Sequence, residues 1–218
     1  LARVDTVCVD KTGTLTEPGM AVTDVEVLDP SAEVDAALAA MGASEESPNP
    51  TLAAVAQAYA NPTWSMVEGI AFSSARKWSA ATFRDHGTWL LGAPEVVLGT
   101  SEPAVRERAE SLAAQGSRVL LLARATGAGP DAERGPGEVT PAALVVIDQR
   151  LRPDAAETVG YFLEQEVAVK VISGDNPATV GAIATQAGVP GASDPLDARE
   201  LTEDPAQLEE PIDSHSVF

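Results

Sequence analysis

Positive charge is what this sequence has least of. Fourteen Lys and Arg stand against 33 Asp and Glu, a formal net charge of −19. Such a surface repels phosphate backbones, which argues against nucleic acid as a partner. Cysteine is almost absent: the single Cys8 excludes an intramolecular disulfide and fits a reducing setting. It is expected mid-strand, as plain packing. Only two His are present, His86 and His215, and both are expected on the surface. Aromatics are 4% of the chain, so Ala, Val and Leu must fill most of any core. No run approaches the 18 or so uncharged apolar residues of a membrane-spanning helix. Leu1 begins without an initiator Met or signal peptide, and Ser216-Val217-Phe218 look cut off. The chain therefore reads as an excised piece of a longer protein, itself monomeric. Its 218 residues allow one large or two small domains.

What is there centres on residues 7–16, Val-Cys-Val-Asp-Lys-Thr-Gly-Thr-Leu-Thr. The apolar run from Val4 to Val9 predicts a short buried strand of a parallel sheet that ends on Asp10. Ligands of open α/β sheets sit at the carboxyl ends of strands. Asp10 is thus a carboxylate aimed at a crevice, ahead of a loop whose N–H groups can cradle phosphate. A carboxylate can attack a phosphoryl group and form an aspartyl-phosphate. Lys11 and the hydroxyls of Thr12 and Thr14 can help hold phosphate oxygens. A Mg2+ ion at Asp10 and Thr12 would offset the charge of carboxylate against phosphate. The plainer alternative is a strand ending in a turn, with Asp10 as a helix cap.

Further along, Glu17-Pro18-Gly19 is a candidate linker. Val22 to Leu28 predicts a strand. Pro30 to Met41 predicts a helix capped by Ser31. An Ala-rich helix follows over Thr51 to Tyr59. Two or three antiparallel strands are expected from Ala71 to Leu91, with a hairpin turn at Arg84-Asp85-His86-Gly87. Pro94 starts a short helix. Glu102 to Gln115 is a helix stopped by Gly116. Arg118 to Arg124 and Ala142 to Ile147 are strands flanking a Gly- and Pro-rich loop. Then Pro153 to Glu166 (helix), Val167 to Ile172 (strand) and Asn176 to Ala187 (helix, stopped by Gly188) restore an α/β alternation. The fold class is therefore α/β, interrupted by an inserted α+β domain with an antiparallel sheet. The expected boundaries are 1–18 with 149–218 for the first domain and 19–148 for the insertion.

Within the insertion, Phe72 could stack on a purine, an interaction worth about 1–3 kcal/mol. Arg76 and Lys77 could balance phosphates. Gly92 lets a ligand approach the backbone, beside Ala93, Pro94 and Glu95. Arg118 supplies a fork of donors. Singly, each also fits a bland role: core, solvated charge, turn or cap. In the first domain, Ser173-Gly174-Asp175-Asn176 follows a strand and opens a helix, where amides and the Ser173 hydroxyl can hold phosphate. Asp175 could also be only the helix cap, and the two roles are compatible.

Asp10-Lys11-Thr12-Gly13-Thr14-Leu15-Thr16 resembles the phosphorylation motif of P-type ATPases, the cation pumps of the haloacid-dehalogenase-like superfamily. Soluble phosphatases of that superfamily carry a second Asp two residues after the nucleophile. Thr12 stands there, so the resemblance favours a lasting phosphoenzyme over the alternative, a soluble phosphatase with a large cap. Phe72, Lys77, Gly92 to Glu95 and Arg118 together resemble the nucleotide-binding domain of the P2 and P3 branches, with Phe72 on adenine and Lys77, Gly92, Ala93 and Arg118 around the nucleotide. Ser173, Gly174 and Asp175 resemble the second phosphorylation-domain motif, usually Thr-Gly-Asp. Asp148, Arg152 and Pro153 resemble the Asp-Pro-Pro-Arg hinge, with Gln149-Arg150-Leu151 replacing part of it, and Thr16 to Gly19 would be the partner hinge. Two departures are Leu91 where the family's loop has Lys, and Leu52 where many relatives have Glu.

The wording of Phe72 to Ser79 is closest to the actinobacterial cation-transporting ATPase E group, which implies calcium as the ion. The resemblance thus implies ATP as substrate, Mg2+ as cofactor, and transmembrane and actuator domains of the same pump as partners, at the cytoplasmic face of the cell membrane. The family's third-motif Lys and its Gly-Asp-Gly segment are missing. The chain alone is therefore expected to bind adenine nucleotide weakly and not to phosphorylate itself.

Overall fold

The computed structural model describes residues 4–114, 117–201 and 204–218. The chain divides into two compact units, Leu1–Gly19 with Gln149–Phe218, and Met20–Asp148. They are called here the split unit and the inserted unit. Gln115 and Gly116, the expected end and stop of one helix, lie outside the described residues.

The split unit is built on two parallel strands, β1 (Thr6–Asp10) and β8 (Ala168–Ile172). Their register runs from Thr6↔Ala168 to Asp10↔Ile172, so Asp10 and Ser173 emerge at the same end. The last residues extend this sheet: Val171 N–H donates to the Ser216 carbonyl at 2.7 Å, and Phe218 N–H to the Val171 carbonyl at 2.9 Å. Helices α5 (Ala155–Glu164) and α6 (Pro177–Gln186) supply the remaining core, where Val159, Val180 and Ile183 meet Val169, Val171 and Leu15. A third helix, α7 (Pro205–Ser214), precedes the final strand-like stretch.

The expected buried strand is only half buried. Successive side chains of a strand point to opposite faces. Val7 and Val9 pack on the core, while Thr6, Cys8 and Asp10 are exposed. Cys8 is therefore a surface thiol, not core packing.

The inserted unit is a six-stranded antiparallel sheet. It comprises β2 (Ala21–Val27), β3 (Met66–Ile70), β4 (Trp78–Phe83), β5 (Gly87–Gly92), β6 (Arg118–Thr126) and β7 (Glu138–Asp148). The order across it is β2-β7-β6-β5-β4-β3. Helices α1 (Val34–Gly42) and α2 (Pro50–Ala58) cover one face through Leu38, Met41 and Val55, against Phe83, Trp89, Leu122 and Val145. Helices α3 (Pro94–Val97) and α4 (Pro103–Ala113) join the core on the other, with Trp78, Leu90, Leu121 and Leu144. With both faces covered, the central strands read as continuous apolar runs. Each fully buried Leu or Val contributes about 1.5–3 kcal/mol.

Three local expectations fail for local reasons. Helix α1 starts at Val34, because the Asp29 carboxylate captures the Ser31 N–H at 2.9 Å and its hydroxyl at 2.6 Å, and the residues form a turn instead. The first hairpin strand is β3, upstream of Ala71, and residues 71–77 are turn and loop. The His residues are half-buried: the His86 ring stacks on Trp64 with centroids 4.0 Å apart, and His215 Nδ1 lies 3.1 Å from the Pro211 carbonyl.

Candidate functional site

Each unit carries one cluster of the singled-out residues. In the split unit, Asp10 ends β1 in an extended conformation, exposed, with one carboxylate oxygen accepting the Thr12 N–H at 3.4 Å. The next residues form a tight turn that closes when Thr16 N–H donates to the Lys11 carbonyl at 3.1 Å. Gly13 sits at φ 74°, the left-handed region that other residues adopt at a cost of roughly 1–2 kcal/mol. Its N–H donates to the Thr16 hydroxyl at 3.2 Å, and Thr16 is completely buried.

Lys11 does not project into solvent. Its side chain is 3% exposed, and its ammonium is paired with the Asp175 carboxylate, itself half exposed. The structure thus brings together Lys11 and Asp175, two residues from opposite ends of the chain whose meeting spacing alone could not give. The charge of Lys11 is directed at a protein carboxylate rather than left free for phosphate. Asp175 is not the helix cap: that role belongs to Asn176, whose side-chain Oδ1 accepts the Ala178 N–H at 2.9 Å. The Ser173 hydroxyl accepts the Asp175 N–H at 3.3 Å, and Gly174 faces open space. Lys11 is taken up by Asp175, so a carboxylate at Asp10 and an incoming phosphate would repel each other, a repulsion that a bound cation would offset.

The donor set fits a sparsely coordinated Mg2+. One carboxylate plus substrate oxygens and water is its usual company, and Asp10 with Thr12 offers that much. Among the described residues, no group of three or more His, Cys, Asp or Glu could hold a metal.

In the inserted unit, the singled-out residues lie at one end of the sheet. Antiparallel pairing places the end of β3, the start of β4, the end of β5 and the start of β6 together. Phe72 is 38% exposed, so its ring is open to a ligand, and its N–H donates to the Glu45 carboxylate at 2.8 Å. The following turn is fixed by Lys77 N–H to the Ser73 carbonyl at 2.7 Å and by Arg76 to the Ala71 carbonyl at 2.6 Å. Lys77 holds a left-handed φ of 60°. Its carbonyl accepts the Ala93 N–H at 2.9 Å, and its ammonium lies 3.5 Å from Glu95.

Gly92 pairs with Trp78, and a Cβ there would sit 2.4 Å from the Trp78 Cβ. Close packing, not only ligand access, demands glycine at this position. Arg118 donates to the Thr51 hydroxyl at 2.6 Å, at the start of α2, where Asn49 caps the helix. Lys77, Gly92 and Ala93 are therefore in mutual contact, while Arg118 is held by α2.

In the sequence, Thr16 stands at the end of the phosphorylation-motif resemblance and at the start of a hinge, and Gln149 as a departure from the partner hinge. Both touch the loop after Asp10: the Thr12 and Thr16 hydroxyls lie 3.4 and 3.2 Å from Gln149 Oε1. Gln149 carried no signal of its own.

Comparison with known proteins adds the following. A family model described as haloacid dehalogenase-like hydrolase matches residues 4–211. The calcium-transporting ATPase CtpE of Mycobacterium bovis is 48% identical over 222 residues, covering 100% of this chain and 27% of that protein. CtpE of Mycolicibacterium smegmatis is 48% identical over 219 residues, with the same coverage. A probable cation-transporting ATPase, exp7, of Streptococcus pneumoniae is 38% identical over 212 residues, 94% of this chain and 26% of that protein. The chain thus spans about a quarter of the length of the relatives it matches. A zinc-transporting PIB-type ATPase of solved structure shares the fold, with a TM-score of 0.66 at 22% identity over 86% of this chain and 28% of that one.

Proposed function

The chain belongs to the haloacid dehalogenase-like hydrolase family, and from that premise we propose that it is the ATP-binding and phosphate-accepting portion of a cation-transporting P-type ATPase. The observation that carries this reading is Asp10: an exposed carboxylate at the end of a parallel strand, beside a turn stabilised from within. Similarity to calcium-transporting ATPases along the whole chain supports calcium as the ion of the full protein.

In this reading, residues 19–148 are the nucleotide-binding domain, and 1–18 with 149–218 belong to the phosphorylation domain. Phe72 offers its face to adenine, and Lys77, Gly92, Ala93 and Arg118 surround the rest of the nucleotide. An Asp10 carboxylate oxygen attacks the γ-phosphorus. The bond to the β-phosphate oxygen breaks, and ADP leaves with that electron pair. Lys11 and Asp175 hold the turn in place, and Ser173 and Gly174 present donors to the phosphoryl oxygens. Asp10 and Thr12 would hold Mg2+, which when bound would supply positive charge to offset the anions. Transmembrane and actuator domains of the same protein convert the phosphorylation cycle into ion movement at the cytoplasmic face of the membrane. Among the described residues, no helix is long and apolar enough to cross a membrane.

The test has two parts. In the full-length protein, γ-labelled ATP should give an acid-stable, hydroxylamine-labile label that Asp10→Asn abolishes. In this chain, Phe72→Ala and Lys77→Ala should each weaken ATP binding. A label that survives Asp10→Asn, or unchanged titration curves for both variants, would refute the respective assignment.

A further inference from the structure

Gln149 is the first residue after β7, and its side chain turns back onto the loop that follows Asp10. Its Oε1 lies 3.4 Å from the Thr12 hydroxyl and 3.2 Å from the Thr16 hydroxyl. A carboxamide oxygen has two lone pairs and can accept from both. The backbone runs alongside as a short antiparallel ladder. Glu17 N–H donates to the Arg150 carbonyl at 2.8 Å, Arg152 N–H donates to the Leu15 carbonyl at 2.9 Å, and Thr16 bridges to Leu151. All of these residues belong to the split unit.

Resting on the reading above, we propose that Gln149 is a positioning residue for phosphoryl transfer to Asp10, acting through the Thr12 and Thr16 hydroxyls. A hydroxyl has one proton. Thr12, giving its proton to Gln149, has only lone pairs left for its exposed side. While its proton points at Gln149 it does not also donate to a phosphate oxygen, the role the sequence alone suggests. Thr12 serves instead as a strut between Gln149 and the Asp10 carboxylate, which its N–H reaches. The buried Thr16 hydroxyl has one proton for two acceptors at 3.2 Å, the Lys11 carbonyl and Gln149 Oε1, and so alternates between the turn and the carboxamide while accepting the Gly13 N–H. Displacement of a reacting group by about 1 Å costs on the order of a hundredfold in rate. A strut at this point is placed to prevent that.

The experiment measures the rate of Asp10 labelling from γ-labelled ATP in the full-length protein, with ATP affinity and melting temperature alongside. Gln149→Met keeps the volume and removes the acceptor. It should slow labelling by about tenfold or more, with ATP affinity unchanged. Thr12→Val should slow it at least as much, since the same residue would also face the cation, and the double variant should be no slower than Thr12→Val alone, because both substitutions break one linkage. Thr16→Ser should restore most of what Thr16→Val loses. Wild-type labelling with an unaffected Gln149→Met rate overturns the proposal, as do additive effects of the two single variants. Failure of the wild type to label refutes the function proposed above instead, and the two failures are thereby distinguished.

Discussion

On the proposed reading, the two units hold side chains ready for a polyanion in opposite ways. In the inserted unit the working residues are tips. Phe72, Lys77 and Arg118 are exposed, and the sheet beneath them is buried on both faces around Trp78, Leu90, Leu121 and Leu144. In the split unit they are part of the framework. Lys11 and Thr16 are buried, the ion pair Lys11–Asp175 joins the segments after β1 and β8, and the strands between them are exposed on one face. Substituting a tip should change binding and leave stability alone. Substituting a framework residue should change both. That difference decides which variants report on function.

The largest break should come from the ion pair, and it should be lopsided. Asp175→Asn leaves an ammonium 3% exposed without a counterion, at a cost of about 3 kcal/mol in denaturant unfolding. Lys11→Met leaves only a half-exposed carboxylate, which water can solvate, and should cost clearly less. Joining the two substitutions should recover part of the Asp175→Asn loss. Equal costs for the singles would mean that burial of Lys11 does not govern the site.

Next in size is Gly92→Ala. The new methyl would meet the Trp78 Cβ at 2.4 Å and the Lys77 carbonyl at 2.7 Å, neither able to swing aside. About 2–3 kcal/mol of destabilisation is expected, the upper range for overpacking. Because Lys77 is pushed directly, ATP affinity should fall with it. Gly92 is thus the exception among the tips. An unfolding curve that matches wild type would show that the strands can part there.

Strand and helix periodicity, caps and breakers were enough to read most elements. The hairpin β4–β5 follows from the Arg84 to Gly87 turn, and α6 from Asn176, Pro177 and Gly188. What escaped was set by partners distant in sequence or by competition at short range. The exposed face of β1 depends on what covers the sheet, which no local pattern encodes. The late start of α1 reflects one carboxylate, Asp29, outcompeting a helix for Ser31. At the sites, residue identities were legible because Asp10 to Thr14 and Phe72 to Lys77 are contiguous. The pairing of Lys11 with Asp175 and the contacts of Gln149 were not, since both join segments more than a hundred residues apart.

Phe72→Ala tests the tips in their pure form. The ring is 38% exposed and is not part of either apolar core of the inserted unit. Its removal should cost about 1–2 kcal/mol of ATP binding, roughly 5- to 30-fold in Kd. Unfolding should shift by less than about 0.5 kcal/mol. A large stability loss would move Phe72 into the framework class and undo the contrast between the units.

The smallest effect is electrostatic and sits on the inserted unit's surface. The Ser31 hydroxyl beside Asp29, helped by the Ser31 N–H, holds the Asp29 carboxyl below its ordinary value of 3.8. A depressed folded value means that the unfolded chain binds the proton more readily. The contribution is therefore fully present above about pH 4 and is lost as pH falls through the folded value. Ser31→Ala removes the hydroxyl and leaves the N–H bond. Wild type should exceed the variant by a small, constant margin at neutral pH, and the margin should close on acidification. Taking the difference between the two proteins cancels the other carboxylates, which titrate over the same range in both. A margin unchanged on acidification would show that the Ser31 hydroxyl does not act through the charge of Asp29.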